Sequence, residues 1–214
     1  MAKASVGVIG SGVVGKVLAE GFKKHGHAVV IGSRSVDKVA EWAAGAGVSA
    51  GTFADAAGAD VVVLAVAGLA AVEAVALAGP ARLAGKLVLD ATNPIAAGPP
   101  VNGVVQYFTG PGDSLMQRLQ ALAPEARFVK AFNSVGNAFM VNPSFSGGRP
   151  TMFICGTDAA AKAEATALLD AFGWDAEDVG GVEAAGPIEA LCQLWCAPGF
   201  LRGDWSHAFK VLRG

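Results

Sequence analysis

The chain has 214 residues, 53% of them hydrophobic, which is enough to bury one full α/β core, or one domain with a small appendix, and little more. Lys and Arg total 16 against 18 Asp and Glu, a net charge of -2 with no basic run, which excludes a nucleic-acid or other polyanionic partner. The longest apolar run, residues 61–72, is closed by Asp60 and Glu73 and is too short to cross a bilayer as a helix. The only apolar stretch at the start is a glycine-bearing strand rather than a secretory leader, so the expected location is the cytoplasm and no membrane is involved.

The first element is the most informative. Ser5–Ile9 reads as a short buried strand, and it runs into Gly10-Ser11-Gly12-Val13-Val14-Gly15 and then a helix over residues 13–25. In such a strand–turn–helix, Gly10 permits the tight turn, Gly12 leaves room for a diphosphate against the backbone, and Gly15 lets helix and sheet approach. The helix start offers free N–H groups and the positive end of its dipole. A second strand at Val29–Ile31 completes a βαβ unit, so the expected ligand is a dinucleotide.

The end of that second strand, Ile31-Gly32-Ser33-Arg34-Ser35, selects among dinucleotides. An Asp or Glu there holds the ribose 2′-OH of NAD and repels a 2′-phosphate. This chain places Ser33 and the Arg34 guanidinium at that point, with Lys38 counted in the same set, which suits the dianionic phosphate of NADP(H). A plainer role is compatible with it: Ser33 or Ser35 capping a helix at residues 36–44, and Arg34 a solvated charge.

Further along, Val48-Ser49 suggests a short strand and Thr52–Asp55 a capped short helix. Val61–Ala65 and Leu87–Asp90 read as strands buried on both faces, with a helix at residues 70–78 between them. Residues 94–112 carry so much Pro and Gly that only a long, functional or mobile loop is expected. A helix starting at Asp113 or Ser114 ends before Pro124, and Phe128–Phe132 is the next strand. The alternation predicts a Rossmann-type, doubly wound, mainly parallel sheet. From residue 147 the pattern restarts with strand Thr151–Cys155, a helix at residues 159–172 capped by Gly156-Thr157-Asp158, strand Trp174–Val179, and a final helical stretch over residues 183–214 broken at Pro198-Gly199. The division expected is a dinucleotide-binding domain over residues 1–146 and a small α/β extension over residues 147–214.

Ligands of open α/β sheets bind beyond the carboxyl ends of the strands. Those ends supply Gly10 and Ser11, Ser33 and Arg34, Ala65, Val66 and Ala67, Thr92, Asn93 and Pro94, and Asn133. Small neutral residues dominate, and no catalytic acid or base stands out. Asp90 reads as a turn residue orienting Thr92 or Asn93 rather than a catalytic carboxylate. Lys130 reads as edge-exposed or snorkelling. His25 and His27 lie at the far end of the sheet in structural roles, and His207 sits in a terminal segment able to fold over a pocket. Cys155, Cys192 and Cys196 form no C-x-x-C pair, and Cys192 and Cys196, one helical turn apart with no His beside them, read as core residues rather than a metal site or disulfide.

Without a proton-transfer group, ring-to-ring hydride transfer is favoured over ketone reduction, because the former depends mainly on proximity and orientation. Gly7–Gly12, Ile31–Arg34, Asp90-Ala91-Thr92-Asn93-Pro94, Val129–Asn133 and Phe153–Gly156 together resemble the NADPH-dependent coenzyme F420 reductases, a fold shared with the reductase domains of STEAP metalloreductases. The resemblance implies NADP at the glycine loop and at Ser33-Arg34, a homodimer, and hydride exchange with a deazaflavin (F420) or a flavin such as FMN or FAD. The segment Phe132–Asn137 and the stretch Trp195–Trp205 depart from that family's pattern, which bears on the acceptor and leaves the nucleotide site untouched. Two other readings stand beside it. One is an NADP-dependent small-molecule dehydrogenase, which ordinarily needs a larger helical domain; the other is an NADP(H)-binding redox sensor using an apolar surface of Trp195, Phe200, Trp205 and Phe209. The same aromatics suit a dimer interface.

Overall fold

The computed structural model describes residues 3–214. Its elements are β1 (Val6–Ile9), α1 (Val13–Lys24), β2 (Val29–Gly32), α2 (Asp37–Ala46), β3 (Ser49–Gly51), α3 (Phe53–Ala56), β4 (Val61–Leu64), α4 (Ala71–Ala78), α5 (Pro80–Leu83), β5 (Leu87–Asp90), α6 (Leu115–Leu122), β6 (Arg127–Lys130), β7 (Thr151–Ile154), α7 (Ala159–Ala171), β8 (Asp175–Asp178) and α8 (Ala185–Arg202). The main sheet has the order β3-β2-β1-β4-β5-β6, every neighbouring pair parallel. This is the Rossmann-type α/β architecture, and its strand order reverses beside β1, where such folds bind ligands.

Unbroken apolar strands make sense once their alternate side chains are sorted. Val6, Val8, Val61, Val63, Leu87 and Leu89 join the core under α1 and α7, while Ile9, Val62, Leu64 and Val88 join the core under α3, α4 and α6. Each strand feeds both faces, so neither face is left for polar residues.

β7 and β8 form a separate parallel pair. It is attached at the β6 edge, where the Lys130 N–H donates to the Cys155 carbonyl at 3.0 Å. Met152, Ile154, Ala161, Leu169, Phe172 and Trp174 of this unit belong to the same apolar cluster as β1 and α1.

Two expectations for the carboxyl-terminal part are corrected. Residues 203–214 are not helical: the Thr151 N–H donates to the Phe209 carbonyl, and the tail runs beside β7. Nor does Pro198 break α8, which continues to Arg202 and ends on left-handed Gly203. Proline there removes the hydrogen bond to the carbonyl of Leu194, an exposed residue. Tertiary packing holds the rest, because the Trp205 ring lies where a Cβ on Gly199 would sit, 2.3 Å away.

Candidate functional site

The turn after β1 is shaped by contacts that only glycine satisfies. Gly10 has φ +124, and a Cβ there would stand 2.3 Å from the Ala65 carbonyl oxygen. A Cβ on Gly15 would stand 1.9 Å from the Gly10 carbonyl oxygen, so this residue sets how closely α1 approaches the turn. Gly12 is different: a Cβ would meet nothing within 4 Å, because the residue faces an open groove. No side chain caps α1 at Gly12, whereas Thr52, Ser114 and Asp158 cap α3, α6 and α7. The first N–H groups of α1 are therefore left for a ligand.

That groove, of about 340 Å³, is lined by Gly10, Ser11, Gly12, Ser33, Arg34, Ser35, Lys38, Phe53, Ala65, Val66, Ala67, Ala70, Glu73 and Ala74. It brings together the glycine turn, the β2 end and the β4 end, as the sequence predicts. Ser33 is buried and organises its own loop: its hydroxyl accepts from the Ser35 N–H and from the Ser11 hydroxyl, both at 3.1 Å. Neither Ser33 nor Ser35 caps α2, whose start has no side-chain cap. Arg34 and Lys38 thus stand as cations on the groove wall. Glu73, which sequence reasoning treated only as the end of an apolar run, faces them from α4 with its carboxylate 3.5 Å from the Arg34 guanidinium.

The other predicted residues lie elsewhere. Val13 is exposed, and Thr92 is buried with its hydroxyl donating to Asp90. Val14 lines a second cleft, of about 370 Å³, with Val135, Gly136, Asn137, Ala138, Met140, Trp195 and Trp205. Asn93 and Asn133 are joined reciprocally: Asn93 Nδ2 donates to the Asn133 carbonyl at 2.8 Å, and Asn133 Nδ2 donates to Asn93 Oδ1 at 3.0 Å and to the Ile188 carbonyl. The carbonyl of Pro94 receives the Phe108 N–H. Gly68 connects this cluster to the groove, since a Cβ on it would lie 1.9 Å from the Asn93 carbonyl oxygen. The chain enters Asn133 from Phe132 at φ +63, a left-handed conformation that costs a bulky residue energy and that burial of its ring holds in place. Asn133 Oδ1 is buried without a hydrogen-bond partner.

Beneath Asn93 lies the largest departure from expectation. Lys130, though on the edge strand β6, is not exposed; it is fully buried, with its ammonium 2.6 Å from Asp90 Oδ2, 2.9 Å from Glu189 Oε1 and 2.9 Å from the Thr92 carbonyl. Asp90 Oδ1 accepts the Thr92 N–H and hydroxyl, the turn role the sequence suggests, while its other oxygen pairs with Lys130. Glu189, also buried, caps α6 by accepting the Leu115 and Met116 N–H groups. Burial alone would lower the Lys130 pKa, but the carboxylates of Asp90 and Glu189 outweigh it and hold the ammonium above the usual lysine range. No local signal in the sequence links Lys130 to Glu189; the apolar context of β6 hinted only at burial.

His207 stacks on Trp195 at 5.1 Å and exchanges hydrogen bonds with it through both backbone carbonyls, so it braces the second cleft. His25 and His27 bond Asn142 and the Ala4 carbonyl, in structural positions. Cys192 and Cys196 lie 3.9 Å apart on α8, and among the described residues no cluster of metal-ligating side chains occurs. A larger cavity, of about 680 Å³, opens between residues 109–113 and α8; Asp113, Glu183 and Glu189 line it, the first paired with Arg118 and the last with Lys130, and its lining offers no cation for a phosphate. Among the described residues no helix is long and apolar enough to cross a membrane.

The fold and groove are of Rossmann type, and comparison with known proteins gives the family. Residues 5–94 match the family described as NADP oxidoreductase, coenzyme F420-dependent. A candidate F420-dependent NADP reductase from Arthrobacter sp. FB24 is similar over 99% of this chain and 100% of its own, at 32% identity and a TM-score of 0.92. A hypothetical protein from Sinorhizobium meliloti is similar over 99% and 97%, at 26% identity and a TM-score of 0.74. An imine reductase from Myxococcus stipitatus, solved with NADP+, shares the fold at 21% identity and a TM-score of 0.64; the match takes in 89% of this chain but 59% of that one. No curated protein matches. The chain belongs to the F420-dependent NADP oxidoreductase family.

Proposed function

We propose that the protein transfers hydride between NADPH and a planar deazaflavin or flavin acceptor. The observation that carries this reading is a groove that joins a cationic wall to an uncapped helix start. At one end Arg34 and Lys38 supply cations for the 2′-phosphate; in the middle the uncapped start of α1 and the bare backbone of Gly12 accommodate the diphosphate. Beyond the groove, across Gly68, the paired Asn93 and Asn133 hold the nicotinamide in this reading, and the unpartnered Asn133 Oδ1 accepts from its carboxamide. Bound NADPH supplies the hydride; the chain binds, orients and excludes water.

The acceptor ring lies in the Trp195 and Trp205 cleft, next to Val14 at the start of α1, where aromatic faces suit a flat heterocycle. The groove and this cleft are lined by no carboxylate or imidazole near Asn93, which agrees with a transfer that relies on ring placement. In this reading residues 1–146 bind the dinucleotide, and residues 147–214 complete the acceptor site. The exposed apolar side chains Leu194, Phe200 and Leu201 on α8 form a homodimer contact, and the protein works in the cytoplasm.

The experiment is an absorbance assay at the nicotinamide band with F420, FMN and FAD. NADPH consumption with one of them is expected. Binding of NADPH without turnover on any of these, or on quinones and ferric chelates, would overturn the proposal.

A further inference from the structure

We infer that Glu73 is a specificity-determining residue: it occupies the Arg34 guanidinium until the 2′-phosphate of the dinucleotide displaces it. This rests on the NADP reading of the groove and adds a residue that the glycine-turn and β2 motifs do not contain. Arg34 leaves the end of β2 and Glu73 leaves the first turn of α4, on opposite walls of the groove, and both line it. Their charged atoms are 3.5 Å apart, and their side chains are 63% and 61% exposed.

That distance and exposure decide what the pair is for. An exposed ion pair at this separation stabilises little, because water screens both partners. It is therefore a contact that a better anion can replace. A 2′-phosphate carries up to two negative charges and three acceptor oxygens, and it meets the guanidinium fork through charge-assisted hydrogen bonds stronger than those of a loosely held carboxylate. NADH brings no such group, so it gains nothing by separating Arg34 from Glu73. Glu73 thus moderates NADPH affinity and holds Arg34 over the groove in the free protein. Sequence motifs at the β2 end alone would call this site free of acid, while the sheet order β2-β1-β4 delivers one from the neighbouring crossover.

The test is equilibrium titration of the full chain with NADPH and NADH at fixed ionic strength. In the wild type NADPH binds more tightly than NADH; if it does not, the NADP reading fails and this inference fails with it. Given that preference, Glu73→Gln is expected to tighten NADPH by about threefold or more and to change NADH by less than about twofold. In an Arg34→Gln background the same substitution loses most of its effect, since there is no guanidinium to release. Unchanged or weaker NADPH binding by Glu73→Gln overturns the inference, as does equal tightening of both nucleotides or a full-sized gain without Arg34. The site of substitution is exposed, and a thermal melt matching the wild type confirms that the variant is folded.

Discussion

Two ion-pair clusters lie near the carboxyl ends of the main-sheet strands, and they are opposites. Past the end of β2 Arg34 and Glu73 meet at 3.5 Å in solvent. At the ends of β5 and β6 Lys130 is sealed from solvent between Asp90 and Glu189, at 2.6 and 2.9 Å. Exposed charges exchange partners at little cost, so the first pair can yield to a ligand. Buried charges cannot be left alone, so the second is permanent framework, tying β5, β6, α6 and α8 together under Asn93. In the proposed function the buried cluster is a rigid floor, and the exposed pair is a soft wall where charge decides which nucleotide enters.

The largest effect is expected at the buried end. Lys130→Met strands two carboxylates and should cost about 3–5 kcal/mol of stability, read by urea unfolding. A loss below about 1 kcal/mol would mean that the triad is not framework. Arg34→Glu comes next, and it should leave stability nearly unchanged while weakening NADPH binding by about 2–4 kcal/mol and sparing NADH. Equal losses for both nucleotides would remove the distinction between the two ion pairs.

pH sharpens the same contrast. The folded-state pKa of Lys130 is raised, so its contribution to stability is complete below the ordinary lysine value of 10.5 and is lost only as pH rises beyond it. The stability difference between wild type and Lys130→Met should therefore be flat from about pH 7 to 10 and shrink in stronger alkali. A difference that already falls near neutrality would show the ammonium to be held less firmly than its two partners imply.

The smallest effect concerns thiols, where burial again separates inert from exchangeable groups. Burial pushes the Cys155 thiol up to about 12, against the nearby Lys130 charge. The hydrogen bond from Cys192 holds Cys196 below the usual thiol range despite its partial burial, while the same contact and burial push Cys192 up. Alkylation of the native protein should modify Cys196 first and Cys155 last, as followed by mass spectrometry. Early loss of Cys155 would indicate that the β6 edge opens.

How legible these features are depends on how local their causes are. The turn from β1 into α1 is written in consecutive residues, because the steric demands on Gly10 and Gly15 come from neighbours a few positions away or one strand across. Ser33, Arg34 and Lys38 follow from the same logic at the next strand. Lys130 was misread because its partners lie 40 residues before and 59 after it, and a lysine in an apolar strand has no local mark of being paired. Pro198 was misread because helix propensity is a weak prior, and the packing of Trp205 over Gly199 outweighs it. Asn133 was named from its strand end, but its orphaned Oδ1 and the left-handed Phe132 before it belong to the folded chain alone.

By itself the amino-acid order determined the parallel α/β architecture, the glycine turn and the cationic end of β2, since hydrophobic period and turn chemistry act over a few residues. Only the tertiary structure decided which charges meet: Glu73 with Arg34 across the groove, and Glu189 with Lys130 beneath it. Coulomb energies depend on distance and burial, and both are set by the packing of elements far apart along the chain.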